Sequence, residues 1–315
     1  MADYYIGVDV GGTTVKMGLF SDAGELVEKW EIPTRTENGG NVILPDIVES
    51  IESKREALGG NIKGIGMGVP GPVTDDGVVL KCANLGWGVF SAKNELSSLT
   101  GVENVCVAND ANIAALGEMW KGGGRGFDSI VMVTLGTGVG GGIIVRGKIL
   151  TGAMGAGGEI GHLKVRSENE EDSCNCGGKG CLEQYASATG IVRMATKKLH
   201  PGSASLEESC LSRGQEITAK AIFDGAKDKD QYCVEVVEEF GRVLGLGLAN
   251  VAQVVDPEAF VIGGGVSKAG DIILDVIKRY YNDHVMFALQ NKEFRLAELG
   301  NDAGIYGAAK LVIEK

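Results

Sequence analysis

Two glycine- and threonine-rich turns, each set between apolar β-branched segments, constrain the fold of this sequence more than any other feature. The first turn is residues 11–14, Gly-Gly-Thr-Thr, between strand-like residues 4–10 and 15–20. The second is residues 136–141, after the strand-like residues 129–135, and a further strand opens at 142–145. This pattern predicts two β-hairpins. Because they are alike and far apart in the chain, they predict an internal repeat of two similar halves.

The segments around the hairpins alternate between strand-like and helix-like patterns, which predicts an α/β fold. The predicted strands are residues 26–32, 62–69, 102–108 and 259–262, and the predicted helices are residues 42–58, 111–120, 232–254 and 300–315. A chain of 315 residues fits two lobes. We expect a smaller N-terminal lobe at 1–120, joined by a C-terminal helix at 303–315, and a larger lobe at 121–302. A cleft between two lobes is the usual place for a ligand.

The charge and the apolar pattern exclude several classes of protein. The formal net charge is -12, which argues against sequence-independent binding to nucleic acid or to an anionic membrane. The N-terminus lacks the basic and apolar regions of a signal peptide, and no apolar run approaches the roughly 20 residues that span a bilayer. We therefore expect a cytoplasmic protein whose thiols stay reduced.

The two glycine-rich turns suit phosphate binding better than dinucleotide binding. Gly136, Gly138 and Gly141 match G-x-G-x-x-G, but a strand follows them where a dinucleotide fold needs a helix. Backbone N–H groups and threonine hydroxyls in such turns bind phosphate oxygens without a blocking side chain. One such turn alone is more often an ordinary tight turn, whereas two matched turns favour a triphosphate clamp. Asp9, directly before the first turn, is a candidate for holding Mg²⁺ through water.

His162, Cys174, Cys176 and Cys181 form the sharpest motif in the sequence. Three cysteines within eight residues, in a polar and glycine-rich loop, point to a metal rather than to buried free thiols. Three thiolates and one imidazole match a closed tetrahedral zinc site of structural type. The other cysteines, at positions 82, 106, 210 and 233, lie in apolar or helical surroundings and are interpreted as core or bystander residues.

Three carboxylates near these motifs are candidates for substrate chemistry. Glu159 and Glu183 flank the cysteine loop, so a metal that fixes the loop would also fix both carboxylates for hydrogen bonds to hydroxyl groups. Asp110 follows a predicted strand and begins a predicted helix. It is equally well explained as a helix N-cap and as a general base at the carboxyl end of a strand.

With these residues assembled, the chain resembles the ROK family of repressors, open reading frames and sugar kinases, over essentially its whole length. The most specific match is Glu-Ile-Gly-His at 159–162, followed by Cys-x-Cys-Gly-Gly-x-Gly-Cys-Leu-Glu at 174–183. Supporting matches lie at residues 9–16, 68–72, 84–87, 109–110, 136–138, 263–265 and 299–304. The resemblance implies an actin-like ATPase fold and ATP-dependent phosphorylation of a hexose at its 6-hydroxyl. It is strongest to bacterial glucokinases, which implies glucose as the substrate.

The resemblance also implies a role for each matched residue. Asp110 is implied as the catalytic base. The implied sugar contacts are Gly71, Asn84, Asn109, Asp110, Glu159, His162 and Glu183, with His162 bound to zinc through one ring nitrogen and facing the sugar with the other. The implied nucleotide and Mg²⁺ contacts are Asp9, Gly11, Gly12, Thr13, Thr14, Lys16, Thr137, Gly138, Gly263, Gly264 and Gly265.

Some alternatives stay open at this point. Kinases of mannose, fructose, N-acetylglucosamine and N-acetylmannosamine share most of these residues, and polyphosphate replaces ATP in some relatives. Repressor members carry an extra N-terminal helix-turn-helix, and here the first strand begins near Tyr4. A sugar sensor without turnover is therefore less favoured than a kinase. Membership of the family implies a homodimer or a homotetramer.

Overall fold

The computed structural model describes residues 2–167, 172–197, 204–212 and 216–313. The chain divides into two compact units. The first unit contains residues 1–128, 142–158 and 298–315, and the second contains residues 129–141 and 159–297.

The strands and helices of the described residues are numbered along the chain. The strands are β1 (Asp3–Val10), β2 (Thr14–Ser21), β3 (Leu26–Pro33), β4 (Asn61–Val69), β5 (Val78–Val79), β6 (Phe90–Ser91), β7 (Val105–Asn109), β8 (Ile130–Leu135), β9 (Val139–Val145), β10 (Lys148–Ile149), β11 (Ala259–Gly263) and β12 (Glu293–Leu296). The helices are α1 (Ile43–Leu58), α2 (Ala92–Thr100), α3 (Asp110–Lys121), α4 (Glu183–Ala186), α5 (Ala188–Thr196), α6 (Ala219–Lys227), α7 (Gln231–Val255), α8 (Asp271–His284) and α9 (Ala303–Ile313).

The two large sheets repeat one topology. The strand order is β3-β2-β1-β4-β7 in the first sheet and β10-β9-β8-β11-β12 in the second. In the first sheet β1 to β3 are antiparallel, while β4 and β7 run parallel to β1. In the second sheet β11 runs parallel to β8 and to β12. The internal repeat predicted from the glycine-rich hairpins is therefore present in the sheet topology.

The C-terminal helix α9 lies against the centre of the first sheet. A Cβ atom added at Gly66 of β4 would collide with the carbonyl of Ala308, and one at Gly307 would collide with the carbonyl of Ile113 in α3. Glycines at these contacts let α9 approach both the sheet and α3 more closely than side chains would permit. Ile305, Ala308 and Ala309 are 0–1% exposed in this contact. The helix at the end of the chain thus completes the core formed by its beginning.

Glu118 is a fully buried carboxylate in α3, at 0% exposure. It accepts hydrogen bonds from the backbone N–H groups of Gly123 (2.8 Å), Glu298 (3.0 Å) and Leu299 (2.8 Å). Residue 123 lies just before the chain leaves the first unit after residue 128, and residues 298 and 299 lie where it returns. One buried carboxylate with three charge-assisted hydrogen bonds therefore links the chain near residue 123 to the chain at residues 298–299 within the first unit.

The structure differs from the predicted elements in three places. β9 begins at Val139, so the second turn is shorter than residues 136–141. Residues 300–302 form a 3₁₀ turn before α9, and residues 314–315, the predicted end of that helix, lie outside the described residues. Residues 121–128, 142–158 and 298–302 belong to the first unit, whereas the predicted boundaries assign them to the larger lobe at 121–302. Gly142 packs directly on Ala111 and Ala115 of α3, which accounts for the placement of residues 142–158.

Across the described residues, none of the helices combines the length and the apolar character that crossing a lipid bilayer requires.

Candidate active site and metal centre

The carboxyl ends of three parallel strands bring the first group of candidate residues together in the first unit. Asp9, at the end of β1, pairs in register with Gly68 of β4. Val69 of β4 pairs in turn with Asn109 at the end of β7. Residues just past the carboxyl ends of adjacent parallel strands share one edge of the sheet, which is where open α/β sheets bind their ligands.

Asn109, and not Asp110, caps helix α3. The Asn109 Oδ1 atom accepts the backbone N–H groups of Ala111 (3.0 Å) and Asn112 (3.2 Å). The alternative in which Asp110 is the N-cap is therefore wrong, because the preceding residue already satisfies those donors. Asp110 is the first helical residue, and its Oδ1 accepts from the N–H of Ala111 (2.8 Å) and from Asn109 Nδ2 (2.9 Å). These donors stabilise its ionised form.

The side chain of Asn109 also connects the helix to the loop after β4. Its Nδ2 donates to the carbonyl of Gly71 at 3.2 Å. Gly71 has a φ of 143°, and a Cβ atom there would lie 2.5 Å from the carbonyl oxygen of Lys81, so only glycine fits this turn. The predicted residues Gly71, Asn109 and Asp110 thus form one hydrogen-bonded group.

The carboxyl group of Asp9 is the most perturbed acid at this edge. Burial, and then the neighbouring Asp110, raise the pKa of Asp9 from 3.8 to about 6, while Lys16 acts in the opposite direction. Gly304, in the first turn of α9, leaves room for this carboxyl group, because a Cβ atom there would collide with it. Lys16 donates to the carbonyl of Asn301 at 3.2 Å. The carboxyl groups of Asp9 and Asp110 and the ammonium group of Lys16 therefore lie close together, at a place where a further cation would be bound favourably.

The first glycine-rich turn is held firmly while its tip stays open. Gly11 N–H donates to the carbonyl of Thr14 (3.0 Å), and the hydroxyl of Thr34 donates to the carbonyl of Gly11 (2.7 Å). Gly12 and Thr13 are exposed, and a Cβ atom at Gly12 would meet nothing within 4 Å. The turn between β1 and β2 thus has the form expected of a backbone anion site.

Asn84 lies in a short 3₁₀ turn next to a separate cavity of the first unit. The side chain of Asn84 is exposed, and Trp87 Nε1 donates to the carbonyl of Gly40 at 3.0 Å. A cavity of about 450 Å³ is lined by residues 39–41 and 86–90, together with Leu44 and Glu95. Asn84 itself does not line this cavity, and residues 39–41 carry no signal in the sequence beyond their two glycines.

The second glycine-rich turn, in the second unit, is built around Glu183. The N–H of Gly136 donates to the carbonyl of Gly138 (3.0 Å), and the N–H of Val139 donates to Glu183 Oε2 (3.1 Å). A Cβ atom at Gly138 would collide with the same carboxylate oxygen. The hydrogen bond from Val139 to this carboxylate therefore marks the end of the turn and the beginning of β9. Thr137, within the turn, is exposed.

Helix α5 donates hydrogen bonds to the carbonyl groups of the same turn through Ala188 and Thr189, which sequence reasoning missed. The N–H of Ala188 donates to the carbonyl of Gly136 (2.8 Å), and the hydroxyl of Thr189 donates to the carbonyl of Thr137 (2.9 Å). No motif marks these residues, and their partners lie some fifty positions earlier in the chain. Together they fix the backbone of a turn whose open face is available to an anion.

The four predicted metal ligands lie together in the second unit. One ligand atom from each of His162, Cys174, Cys176 and Cys181 lies within 4.8 Å of every other. Cys174 Sγ lies 3.5 Å from His162 Nδ1, and Cys176 Sγ lies 3.7 Å from Cys181 Sγ. Distances near 3.7 Å between ligand atoms match the edges of a tetrahedron with the bond lengths of Zn²⁺ to sulfur and nitrogen.

Residues around this cluster connect it to the candidate sugar contacts. Glu183 Oε1 lies 3.8 Å from Cys174 Sγ, and Glu159 Oε2 lies 4.0 Å from His162 Nε2. The imidazole thus turns Nδ1 to the thiols and Nε2 to a carboxylate. Lys164, which belongs to no sequence motif, donates to Cys181 Sγ (3.0 Å) and to the carbonyl of Lys179 (2.7 Å). Contact with Cys181 raises the pKa of Lys164, so its ammonium group offsets thiolate charge.

Residues 263–265 lie at the same edge of the second sheet as the second glycine-rich turn. Gly263 ends β11 and pairs with Thr134 of β8. Gly264 has a φ of 85° and packs against the backbone of Leu135, while Gly265 is exposed with nothing within 4 Å of an added Cβ atom. Two open glycine turns therefore follow adjacent parallel strands.

Comparisons with known proteins give a consistent result over the whole chain. A sequence profile of the ROK family matches residues 5–315. A glucokinase of Halalkalibacterium halodurans is 46% identical over 98% of this chain and 94% of its own length. A glucokinase of Thermotoga maritima is 36% identical over 98% of this chain and 97% of its own. A crystal structure of a ROK family glucokinase from Streptomyces griseus, in complex with glucose and AMPPNP, is 34% identical, covers 99% of this chain and 100% of its own, and has a TM-score of 0.72.

Proposed function

Because the chain belongs to the ROK family, we propose that it is a glucokinase that uses Asp110 as the base in transferring the γ-phosphoryl group of ATP to the 6-hydroxyl of glucose. The predicted family and its actin-like α/β fold class are confirmed. The observation that carries the catalytic assignment is the capping of α3 by Asn109. Asp110, the first residue of α3 at the carboxyl edge of the sheet, is therefore not needed as the helix cap.

The proposed chemistry in the first unit follows from the group around Asp110. Asp110 accepts the proton of the 6-hydroxyl as that oxygen attacks phosphorus, and Asn109 and Gly71 hold the acid in place. Asn84 contributes a further polar contact to the sugar. Mg²⁺, which Asp9 would hold through water, supplies charge neutralisation at the phosphates. A cation beside Asp9 also lowers its raised pKa, so that Asp9 is ionised when the nucleotide is bound.

The glycine-rich turns are proposed as the phosphate and nucleoside contacts. Residues 11–14 and 137–138 present N–H groups and threonine hydroxyls to the phosphate oxygens, with Lys16 adding a positive charge. Residues 263–265 offer an uncovered backbone to the adenosine. Donors fixed before the reaction stabilise the charge on the transferring phosphoryl group without reorganisation during the step.

The cysteine cluster is proposed to hold a structural Zn²⁺. Its three thiols and His162 Nδ1 fit that ion in number, chemistry and spacing. With Nδ1 on the metal, Nε2, which lies 4.0 Å from Glu159 Oε2, would carry the proton and donate it to a sugar oxygen bound beside that carboxylate. Glu159 and Glu183 are then fixed as acceptors for sugar hydroxyls, because each lies beside a metal ligand.

The test of this assignment is the Asp110→Ala variant. Its kcat should fall by about 10² to 10⁴, the usual contribution of a general base, while glucose binding is largely retained. Glucose-dependent ADP formation and tryptophan fluorescence titration measure the two quantities. Asp76→Ala is the matched control, because Asp76 is an exposed carboxylate of the same unit. A kcat near that of the wild type in the Asp110→Ala variant would remove Asp110 from the mechanism.

A panel of sugars and donors tests the substrate assignment. Glucose with ATP should give the highest kcat/KM among glucose, mannose, fructose and the two N-acetylated hexosamines, and polyphosphate should be the poorer donor. Binding of a hexose with no turnover on any member of the panel would instead indicate a sugar sensor. A cytoplasmic location remains a prediction. A homodimeric or homotetrameric state is also a prediction, and light scattering would test it by measuring the molar mass of the particle in solution.

A further inference from the structure

A second pair of cysteines lies together in the second unit, away from the proposed zinc ligands. The Sγ atoms of Cys210 and Cys233 and a carboxylate oxygen of Asp230 lie within 4.8 Å of one another. Cys233 belongs to the first turn of α7 and is 0% exposed, whereas Cys210 is exposed at the start of a short 3₁₀ turn. One cysteine of the pair is therefore accessible from solvent, and the other is buried in the core. The proposed kinase reaction uses neither residue.

Asp230 fixes the backbone of both cysteines. Its Oδ2 accepts the N–H of Cys210 (2.7 Å), and its Oδ1 accepts the N–H of Cys233 (3.0 Å) and the hydroxyl of Ser209 (2.9 Å). Although burial acts against ionisation, these donors outweigh it and hold the pKa of Asp230 well below its usual range. The carboxylate is thus a fixed helix cap that holds two thiols side by side.

Space for contact between the sulfurs exists because residue 225 is glycine. A Cβ atom at Gly225 of α6 would lie 2.5 Å from Cys233 Sγ and 3.0 Å from Cys210 Sγ. Glycine inside a helix is destabilising relative to alanine, and here it leaves the two sulfurs room. Both thiols therefore face one small space beneath α6.

The number and state of these groups favour covalent bonding over metal binding. Asp230 already receives three hydrogen bonds, which leaves two thiols as free ligands, fewer than the four of a closed zinc site. Burial raises the pKa of Cys233 to about 12, so a neutral thiol is stable there. The two sulfurs lie within 4.8 Å of each other, and Asp230 holds the backbone of both residues, so a disulfide requires the side chains to close this remaining distance.

We propose that Cys210 and Cys233 form a reversible disulfide by exchange with a low-molecular-weight disulfide. The exposed Cys210 thiolate attacks one sulfur of the reagent, which forms a mixed disulfide and releases one thiol. Cys233 Sγ then attacks Cys210 Sγ, and its proton passes to the departing thiolate, which forms the protein disulfide and releases the second thiol. Two protein thiols are oxidised and one reagent disulfide is reduced to two thiols, so atoms and electrons balance.

The experiment treats the metal-loaded, full-length protein with oxidised glutathione, alkylates the remaining thiols and maps peptides by mass spectrometry without reduction. The wild type should lose two alkylated thiols and yield one peptide pair that links Cys210 to Cys233. Dithiothreitol should restore both thiols. Absence of the linked pair after prolonged treatment of folded protein would overturn the proposal.

Two single variants test the order of the steps. Cys233→Ser removes the resolving thiol, so one glutathione should stay attached at Cys210. Cys210→Ser leaves only the buried thiol, and Cys233 should stay unmodified. Equal modification of Cys233 in the Cys210→Ser variant would contradict the proposed sequence of attack.

Measuring the zinc content distinguishes a disulfide from the remaining alternative, in which the two cysteines and Asp230 bind a metal ion. The proposal predicts the same zinc content in the wild type and in the Cys210→Ser variant. If the wild type binds one more zinc ion per chain than this variant does, the pair is a metal site and the disulfide proposal is wrong.

Discussion

Replacing Asp9 by asparagine should stabilise the first unit at neutral pH. The same replacement should abolish the proposed kinase activity. Burial and the nearby Asp110 raise the pKa of Asp9 from 3.8 to about 6 in the folded protein. Between these two pH values the folded protein binds a proton that the unfolded chain releases. The stabilising effect of that proton is complete below pH 3.8 and is lost as the pH rises through 6.

The size of the effect follows from the same two values. A difference of about two pKa units corresponds to about 3 kcal/mol between the protonation states. Asparagine has the same shape and no charge to desolvate. The free energy of unfolding of Asp9→Asn should therefore exceed that of the wild type by about 1.5 kcal/mol at pH 5 and by about 3 kcal/mol at pH 8.

The chain offers a selective probe for this measurement. Its three tryptophans, at positions 30, 87 and 120, all belong to the first unit, so urea unfolding followed by tryptophan fluorescence reports on the unit that contains Asp9. The exposed Asp76→Asn change is the control and should stay within about 0.5 kcal/mol of the wild type. A stability difference for Asp9→Asn that does not grow between pH 5 and pH 8 would refute this electrostatic account of the site.

Three further perturbations test other parts of the structure. The Glu118→Gln variant loses one of the two acceptor oxygens that serve three backbone donors. Its free energy of unfolding, measured with urea, should therefore fall by about 2–4 kcal/mol. An unchanged unfolding midpoint would contradict the structural role of this acid. Gly138→Ala places a methyl group against Glu183 and should reduce kcat/KM for ATP at least about tenfold with the fold intact by circular dichroism, whereas Gly88→Ala, where a Cβ atom has open space, should not. Removing zinc by Cys176→Ser should raise the KM for glucose by about 10- to 100-fold, and unchanged kinetics in a metal-free sample would show that the cluster is dispensable.

Local chemistry made the cysteine cluster predictable from the sequence. Cys174, Cys176 and Cys181 lie within eight residues, and glycines between them let the chain turn back on itself. The sequence also predicts the repeated hairpins, because alternation of apolar segments and glycine turns is a local signal. Both features depend on neighbours in the chain, and both are present in the structure.

Features that depend on distant partners could not be predicted in the same way. Asn109 and Asp110 are both favoured N-caps, and the geometry of one turn decides between them. The length of the second turn is set by Glu183, which takes the N–H of Val139 from 44 residues away. The burial of Glu118 carries no sequence signal, because a glutamate in a helix is usually exposed and two of its partners, Glu298 and Leu299, lie 180 and 181 residues later in the chain.

The position of α9 has a consequence for the order in which the protein is made. The last helix fills the space against Gly66 and the sheet of the first unit, so that unit is incomplete until residues 298–313 have been synthesised. Residues 129–141 and 159–297 have all been synthesised by then. The unit that begins first is thus completed after the other, and until α9 packs against it the apolar face of its sheet stays uncovered and dependent on protection from aggregation.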